Sequence, residues 1–206
     1  MSRMARQGES EAEWKPRTSL GMMVASGKIK SMEEIFENGM RIQEGEIVKY
    51  LLPDVKTQVV SVDIVQKQTD AGELTRFNAL VALGNESGWF GLGKGKAHQM
   101  RNAIDKATNA TYLNVIPVKL GCGSWECRCN QPHSVPFKVM GRGGSVTIEI
   151  IPGPRGLGIV AGEHIRNLLK LAGLKDAWSR SYGSTSTMSS TAKAIFNALR
   201  NTFQTG

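Results

Sequence analysis

The sequence predicts an α+β protein of two domains that follow a short helical extension. The prediction rests on the spacing of apolar residues, which alternate from Val55 to Leu83 and then recur at helical spacing. The same change from strand spacing to helix spacing occurs again after Asn114. We therefore predict an extension over 1–54, a first domain over 55–114 and a second domain over 115–206.

The extension is predicted to contain two short helices that lie on a larger body. Ser31 and Glu34 have the spacing of a capping box, and Met32, Ile35 and Phe36 follow as one apolar stripe. A second short helix over 47–51 would end before a proline. Neither stripe is large enough to form a domain of its own.

The first domain is predicted to be a three-stranded meander covered by one helix. β-Branched residues predict a long strand over 55–65, and a turn at 68–73 leads to a second strand over 77–83. A short strand follows at residues 89–90. Alanine, isoleucine and methionine then recur at helical spacing over 97–107.

The second domain is predicted to mix strands and helices. Strand candidates cover 115–119, 134–140 and 146–151, separated by cysteine-rich and glycine-rich turns. Helical stripes follow over 165–172 and 192–199. Together with the first domain, these segments give the α+β prediction.

The charge of the chain is concentrated in one part of it. The 206 residues carry a formal net charge of +8. Residues 1–54 contain 8 Lys/Arg and 9 Asp/Glu, while residues 55–206 contain 18 and 9, so the whole excess lies after Asp54. A localised positive excess favours a polyanionic partner such as nucleic acid, although a basic protein without such a partner is the simpler alternative.

Several classes of protein do not fit this sequence. It has no run of eighteen apolar residues, so we expect no transmembrane helix and no membrane partner. Its N-terminus lacks an apolar signal core, and three cysteines form no disulfide framework, so we expect a cytoplasmic protein. No arrangement of nucleophile, base and acid stands out, and we expect no enzymatic activity.

The segment Gly88–Ala97 nearly matches a phosphate-binding loop. Gly95 occupies the Ser/Thr position that would hold Mg²⁺, which argues against nucleotide hydrolysis. Glycines that approach phosphate, with Lys94 and Lys96 supplying charge, would still suit nucleic acid, and a tight turn with solvated lysines is the alternative. The glycine-rich segment 151–162 leaves anion binding and close packing open in the same way.

Four metal-ligating residues lie within twelve positions. Cys122, Cys127, Cys129 and His133 offer three thiolates and one imidazole, the ligands that tetrahedral zinc prefers. Their spacing is not the common pair of C-x2-C motifs, so three thiols in a turn, without metal, are the alternative. The sequence predicts no catalytic cofactor.

Two motifs together resemble a known family. GWFGLGKGKAHQMRNAIDKA followed by IPGPRGLGIVAGEHIRNLLKLAGLKDAWSRSYGSTS is similar to the fifth protein of the small ribosomal subunit, and the resemblance covers residues 14–203. The N-terminal segment and the cysteine cluster resemble its archaeal/eukaryotic branch, with the cysteines typical of archaeal members. The resemblance implies a double-stranded-RNA-binding-like α-β-β-β-α domain and a β-α-β-β-α domain with a left-handed crossover.

The resemblance also implies a function. Members of the family are structural proteins that bind small-subunit rRNA, line the mRNA entrance channel, contact ribosomal proteins four and eight, and support decoding accuracy. Two other functions stay open from the residues alone. They are a double-stranded-RNA-binding protein that acts outside the ribosome, and a phosphate-loop NTPase.

By position, the resemblance assigns residues to two surfaces. The protein-interface residues are Arg155, Gly156, Arg166, Ser184 and Thr185, where the first three fall in the contact with ribosomal protein four and Arg166 is expected to point outward. Among the RNA-binding residues, the resemblance places Lys94, Lys96 and Arg101. We add five further basic residues to the predicted RNA-binding set, which are Lys67, Arg76, Lys119, Arg142 and Arg180. His133 has a counterpart in bacterial relatives that lack the cysteines, so the presence of this histidine does not require a metal.

Overall fold

The computed structural model describes residues 14–127, 129 and 131–204, and these form six helices and eight strands. The first three helices belong to the extension: α1 (Ser19–Ala25), α2 (Met32–Glu37) and α3 (Gly45–Leu51). The predicted α2 and α3 are confirmed, and α1 adds a helix of seven residues that the apolar spacing did not reveal. The part of the extension before residue 14 lies outside the described residues.

The extension packs on the rest of the protein, as predicted. The Ser31 hydroxyl accepts the N–H of Glu34 at 3.3 Å, which confirms one half of the capping box. The Glu34 carboxylate instead accepts the N–H of Lys30, also at 3.3 Å. Ile35 and Ile47 are fully buried in a cluster that includes Leu83 and Trp89 of the first sheet, and this cluster holds the extension in place.

The first sheet has the strand order β1-β2-β3-β4, and each neighbouring pair is antiparallel. Its elements are β1 (Lys56–Thr69), β2 (Gly72–Gly84), β3 (Trp89–Ala97), β4 (Val115–Pro117) and the helix α4 (Met100–Leu113). The register pairs β3 with β2 only from Phe77 to Gly84, so the far ends of β1 and β2 project as a two-stranded arm. The predicted meander and covering helix are therefore confirmed.

Two details of the first sheet differ from the predictions. The strand predicted at residues 89–90 continues to Ala97, and the helix begins only at Met100, because alternate glycines in β3 hide the strand period. The strand assigned to the second domain pairs with β3, with Val115 opposite Gly91. Val118, which follows this strand, packs in the core of the second region. Residues 115–118 therefore join both regions. The division near residue 114 stays a prediction.

The second region contains a sheet of strand order β5-β6-β8-β7 and two helices. Its elements are β5 (Val139–Gly143), β6 (Val146–Pro152), β7 (Ile159–Val160), α5 (Glu163–Leu171), β8 (Ala177–Tyr182) and α6 (Met188–Gln204). β7 and β8 are parallel and are joined through α5. The left hand of this crossover stays an implication of the resemblance.

The strand predicted over 134–140 begins only at Val139. Pro136 has no N–H to donate to a strand partner, and Ser134 forms an isolated bridge with Gly121 instead. The predicted strand over 146–151 and both predicted helices are confirmed. The α+β class with two packed regions is therefore confirmed as well.

The two regions share their largest hydrophobic core. Leu80 and Phe90 of the first sheet pack in one cluster with Ile148, Ile195 and Leu199 of the second region. On the opposite face of β2, Ala79 and Val81 pack with α4 in a separate cluster. None of the described helices has the length and apolar character that a membrane crossing needs.

Candidate nucleic-acid interface and metal centre

The glycine-lysine segment is a strand, and its glycines face a helix. A Cβ atom at Gly93 would lie 2.4 Å from the carbonyl oxygen of Ala107, and one at Gly95 would lie 2.4 Å from that of Ala103. The backbone of α4 therefore covers these glycines and leaves no room for a phosphate against them. Both earlier interpretations, a phosphate loop and a tight turn, are wrong, and nucleotide hydrolysis on this motif loses its basis.

Lys94 and Lys96 alternate with those glycines and are exposed on the other side of β3. Lys96 lines a pocket of about 340 Å³ at the beginning of α4. The pocket is lined by Arg76, Lys96, Ala97, His98, Asn102 and Lys106. Hereafter we call it the basic pocket.

The basic pocket joins two predicted RNA-binding residues and adds three that sequence reasoning missed. Arg76 comes from β2 and Lys96 from β3, while Asn102 and Lys106 lie four residues apart on α4. His98 lies between the strand and the helix. The sequence did contain a signal for these three residues. His98, Asn102 and Lys106 are spaced four apart, a spacing that places polar side chains on one side of a helix. Several donors around one cavity suit an anion such as a phosphate.

The other predicted RNA-binding residues do not join this pocket. Lys67 lies exposed on the two-stranded arm and Arg101 lies exposed on α4. The Arg142 Nε donates to the carbonyl oxygen of Gly144 at 3.0 Å. A hydrogen bond with Tyr182 raises the pKa of Arg180 above its ordinary value, as do the nearby Tyr182 and Glu149 charges, so Arg180 stays cationic.

Lys119 lies in a different setting, after β4. It lines a groove of about 520 Å³ together with the acidic side chains of Glu33 and Glu37 and the aromatic rings of Phe36 and Trp89. The carboxylates in this groove oppose the binding of a phosphate. Lys119 therefore has less support as an RNA contact than the residues of the basic pocket.

The three cysteines and His133 lie together, as their spacing predicts. Their ligand atoms all lie within 4.8 Å of one another, and the Sγ atoms of Cys127 and Cys129 are 3.1 Å apart. The Sγ of Cys127 is 3.7 Å from the Nε2 of His133, and that of Cys129 is 3.6 Å from the Sγ of Cys122. Tetrahedral zinc would separate two sulfur ligands by about 3.8 Å and sulfur from nitrogen by about 3.5 Å. The donor set therefore fits zinc, and the Cys129–Cys122 and Cys127–His133 distances agree with this geometry to within about 0.2 Å, whereas the Cys127–Cys129 distance is shorter.

The backbone around the cluster closes it into a loop. Gly121 and Ser134 exchange N–H···O hydrogen bonds of 2.8 and 2.9 Å, which brings the two ends of the cysteine-rich segment together. A Cβ atom at Gly123 would lie 2.1 Å from the carbonyl oxygen of Pro136, so only glycine allows this close approach. The loop is thereby held on the second region.

The thiols differ in their ease of ionisation. Hydrogen bonds from the Cys129 side chain and from the backbone N–H groups of Arg155 and Cys129 lower the pKa of Cys127 to about 6. Burial, together with the neighbouring sulfurs, raises the pKa of Cys122 above its ordinary value. Cys127 is therefore a thiolate at neutral pH, the form that binds a metal.

Asp176 is the partner of the cluster that sequence reasoning missed. It is buried immediately before β8, and its Oδ2 accepts a hydrogen bond from the Nδ1 of His133 at 2.9 Å. The Nε2 of the same ring faces Cys127. The 43 residues that separate Asp176 from His133 left no local sequence signal.

The predicted protein-interface residues fall in two places. Arg155 and Gly156 lie in the loop between β6 and β7, beside the cysteine cluster. Arg166 is exposed on α5, as expected, and lines a pocket of about 570 Å³ with Thr185. Ser184 lies next to Thr185, and its hydroxyl is 3.3 Å from that of Ser186.

Comparison with known proteins gives matches along almost the whole chain. A family model described as ribosomal protein S5, N-terminal domain, matches residues 55–119, and one described as ribosomal protein S5, C-terminal domain, matches residues 141–205. Relatives named small ribosomal subunit protein uS5 include that of Cenarchaeum symbiosum, which is 61% identical over 99% of this chain and 93% of its own. That of Thermofilum pendens is 54% identical over 93% of this chain and 95% of its own. That of Saccharolobus solfataricus is 50% identical over 93% of this chain and 90% of its own.

Proposed function

The chain belongs to the ribosomal protein S5 family, and from this membership we propose that it binds small-subunit rRNA through the basic pocket and the lysines of β3. The family consists of structural proteins of the small ribosomal subunit and not of enzymes. The observation that supports the RNA surface is the convergence of Arg76, Lys96 and Lys106 on one cavity. Positive side chains around a cavity hold phosphate oxygens and fix the position of a protein on RNA.

We extend the proposal to the partners that the resemblance implies. The protein lines the mRNA entrance channel, contacts ribosomal proteins four and eight, and thereby supports decoding accuracy. Arg155, Gly156 and Arg166 meet ribosomal protein four, while Ser184 and Thr185, in the loop before α6, contact a ribosomal protein as well. What supports this assignment is the exposure of Arg166, whose guanidinium can form a forked pair with a carboxylate.

Sedimentation tests the ribosomal role against a free double-stranded-RNA-binding role. The tagged full chain is expressed in an archaeal cell, and its ribosomes are washed in high salt and separated on a gradient. We expect the chain to sediment with the small subunit. Contacts with both rRNA and ribosomal proteins should survive a wash that removes proteins bound only through phosphate charges. Release of the chain to the top of the gradient would favour the free RNA-binding role.

Arg166→Glu tests the contact with ribosomal protein four. The side chain is exposed, and its Nη2 donates only to the Ala161 carbonyl at 3.3 Å among the bonds described, so the variant should fold and bind RNA normally. Reversal of the charge should weaken association with ribosomal protein four and raise miscoding in reconstituted translation. Arg200→Glu, on the exposed side of α6, is the charge-matched control. Normal association together with normal accuracy would remove Arg166 from this interface.

We also propose that Cys122, Cys127, Cys129 and His133 hold one structural zinc ion. The compact arrangement of the four ligand atoms supports this assignment. Elemental analysis of the protein purified without chelator should find one zinc per chain. Metal-free protein with three titratable thiols would leave the cysteines as ordinary loop residues.

A further inference from the structure

Asp176 connects the cysteine cluster to a second segment of the protein. While its Oδ2 accepts from His133, its Oδ1 accepts the backbone N–H groups of Gly156 at 3.1 Å and Gly158 at 2.8 Å. Both glycines have positive φ angles, 88° and 76°, so this carboxylate stabilises a backbone conformation that other residues rarely adopt. One buried side chain thus holds the histidine and the loop between β6 and β7, which we call the Arg155 loop (residues 153–158).

The tautomer of His133 follows from this contact. An ionised carboxylate only accepts hydrogen bonds, so the Nδ1 of His133 donates to the Oδ2 of Asp176. In the neutral ring, which is the form that binds a metal, the lone pair of Nε2 is then directed to the side of Cys127. The backbone N–H of Asp176 also donates to the His133 carbonyl oxygen at 3.1 Å, and that of Lys175 does so at 3.0 Å. Both the backbone and the ring of His133 are therefore held in position by Asp176 and its neighbour Lys175.

A second link joins the cluster to the same loop. The backbone N–H of Arg155 interacts with the thiol of Cys127 and helps to lower its pKa. Two of the four candidate ligands, Cys127 and His133, therefore have an outer partner on or next to the Arg155 loop. A change at the cluster reaches Arg155 through Cys127 and reaches Gly156 through Asp176.

We propose that Asp176 is a positioning residue that orients His133 for metal binding and couples metal occupancy of the cysteine cluster to the conformation of the Arg155 loop. The inference rests on the zinc site proposed above, and it adds a regulatory link between that site and a protein-interface loop. Carboxylates that accept from a metal-bound histidine commonly set its orientation, and their loss lowers metal affinity about 10–100-fold. The alternative is a His133–Asp176 pair that only stabilises the fold.

Asp176→Asn separates the two roles. The amide oxygen can still accept from Gly156 and Gly158, whereas the amide nitrogen opposes the Nδ1–H of His133 and disfavours the required tautomer. We expect Zn²⁺ affinity, measured by chelator competition on the full chain, to fall about 10–100-fold. The absorption of the Co²⁺-loaded protein should shift as the nitrogen ligand weakens. Asp70→Asn, in the exposed turn between β1 and β2, is the control.

Amide hydrogen exchange of the unmodified chain provides a measurement that does not depend on the variant folding. Zn²⁺ loading should slow exchange at Gly156 and Gly158 several-fold and leave the two-stranded arm unchanged. Wild-type zinc binding with no change at these glycines, or with unaltered affinity and Co²⁺ spectrum in Asp176→Asn, would overturn the coupling and leave the zinc site standing. Failure of the wild-type chain to take up Zn²⁺ would overturn both.

Discussion

β3 of the first region and β5 of the second pack against their helices with the same residue types. Gly93 and Gly95 lie against Ala103 and Ala107 of α4, while Gly141 and Gly143 lie against α6. A Cβ at Gly141 would lie 2.1 Å from the carbonyl oxygen of Ala194. In each region, glycines two apart on a strand and small residues four apart on a helix allow the backbones to approach closely.

The outer edges of these two strands differ. β5 is an edge strand, and the side-chain amides of Asn197 and Asn201 on α6 donate to its carbonyls at Arg142 (2.7 Å) and Met140 (2.8 Å). In the described part of the chain, no strand pairs with β3 beyond Gly91 on its outer side, and this open edge carries the exposed lysines. The same packing therefore produces a closed edge in one region and an accessible basic edge in the other.

Adding a methyl group to the glycines should break both regions alike. In Gly93→Ala and Gly141→Ala the new Cβ would meet backbone atoms within 2.4 Å, which side-chain rotation cannot relieve. We expect each to lower the free energy of unfolding by about 4 kcal/mol or more in a urea titration. Gly162→Ala is the matched control, since nothing lies within 4 Å of its Cβ position. Losses below about 1 kcal/mol would disprove the close packing.

Cys127→Ser should remove the zinc-dependent part of the stability, which originates in the second region. The serine hydroxyl is a poor zinc ligand, so the bound metal and its stabilisation should be lost, at about 3 kcal/mol when free Zn²⁺ is a hundred times its Kd. Thermal unfolding with and without chelator measures this difference. Trp125→Ala, an exposed residue of the same loop, serves as the control. A wild-type melting temperature that chelator does not change would contradict the role of zinc.

Replacement of Lys94 and Lys96 by glutamine should affect the open edge without affecting the fold. Each lysine paired with a phosphate releases counterions, so the slope of log affinity against log salt should fall by about one to two units. Filter binding to a cognate rRNA fragment at several salt concentrations gives this slope. The double variant Lys28→Gln/Lys30→Gln, in the extension, should leave it unchanged. An unaltered slope in both would mean that the β3 lysines are only solvated.

Glu44 provides the smallest effect and a test of the extension. Burial favours its neutral form, but hydrogen bonds from the backbone of Arg17 and Thr18 and from the Trp14 indole prevail and lower its pKa below 4.5. Its contribution to stability is therefore complete above pH 4.5 and disappears as the pH falls through the lowered value.

NMR of the Trp14 indole N–H follows this contribution. Glu44→Gln should shift the signal and speed its exchange at pH 7, and the difference from wild type should vanish in acid. Glu46→Gln, exposed two residues away, is the control. A difference that persists below the lowered pKa would show that the carboxylate charge is not what holds Trp14.

The sequence predicted what depends on near neighbours. Apolar period identified the long strands and the larger helices, and four ligands within twelve residues identified the cysteine cluster before the structure showed it. It failed where distant chain segments decide the outcome. The glycine spacing predicts a loop at Gly93 and Gly95, whereas both lie in a strand that α4 covers, and Asp176 reaches His133 only through the folded second sheet.

The core that the two regions share has a consequence for folding. Phe90 belongs to the first sheet but is fully buried in a cluster with Ile148 and Ile195, so unfolding of either region exposes apolar surface of the other. We therefore expect one cooperative transition, in which no half of the chain persists as a stable intermediate. A newly made chain would bring its basic edge and its cysteine cluster to the growing subunit at the same moment, because the two regions fold together.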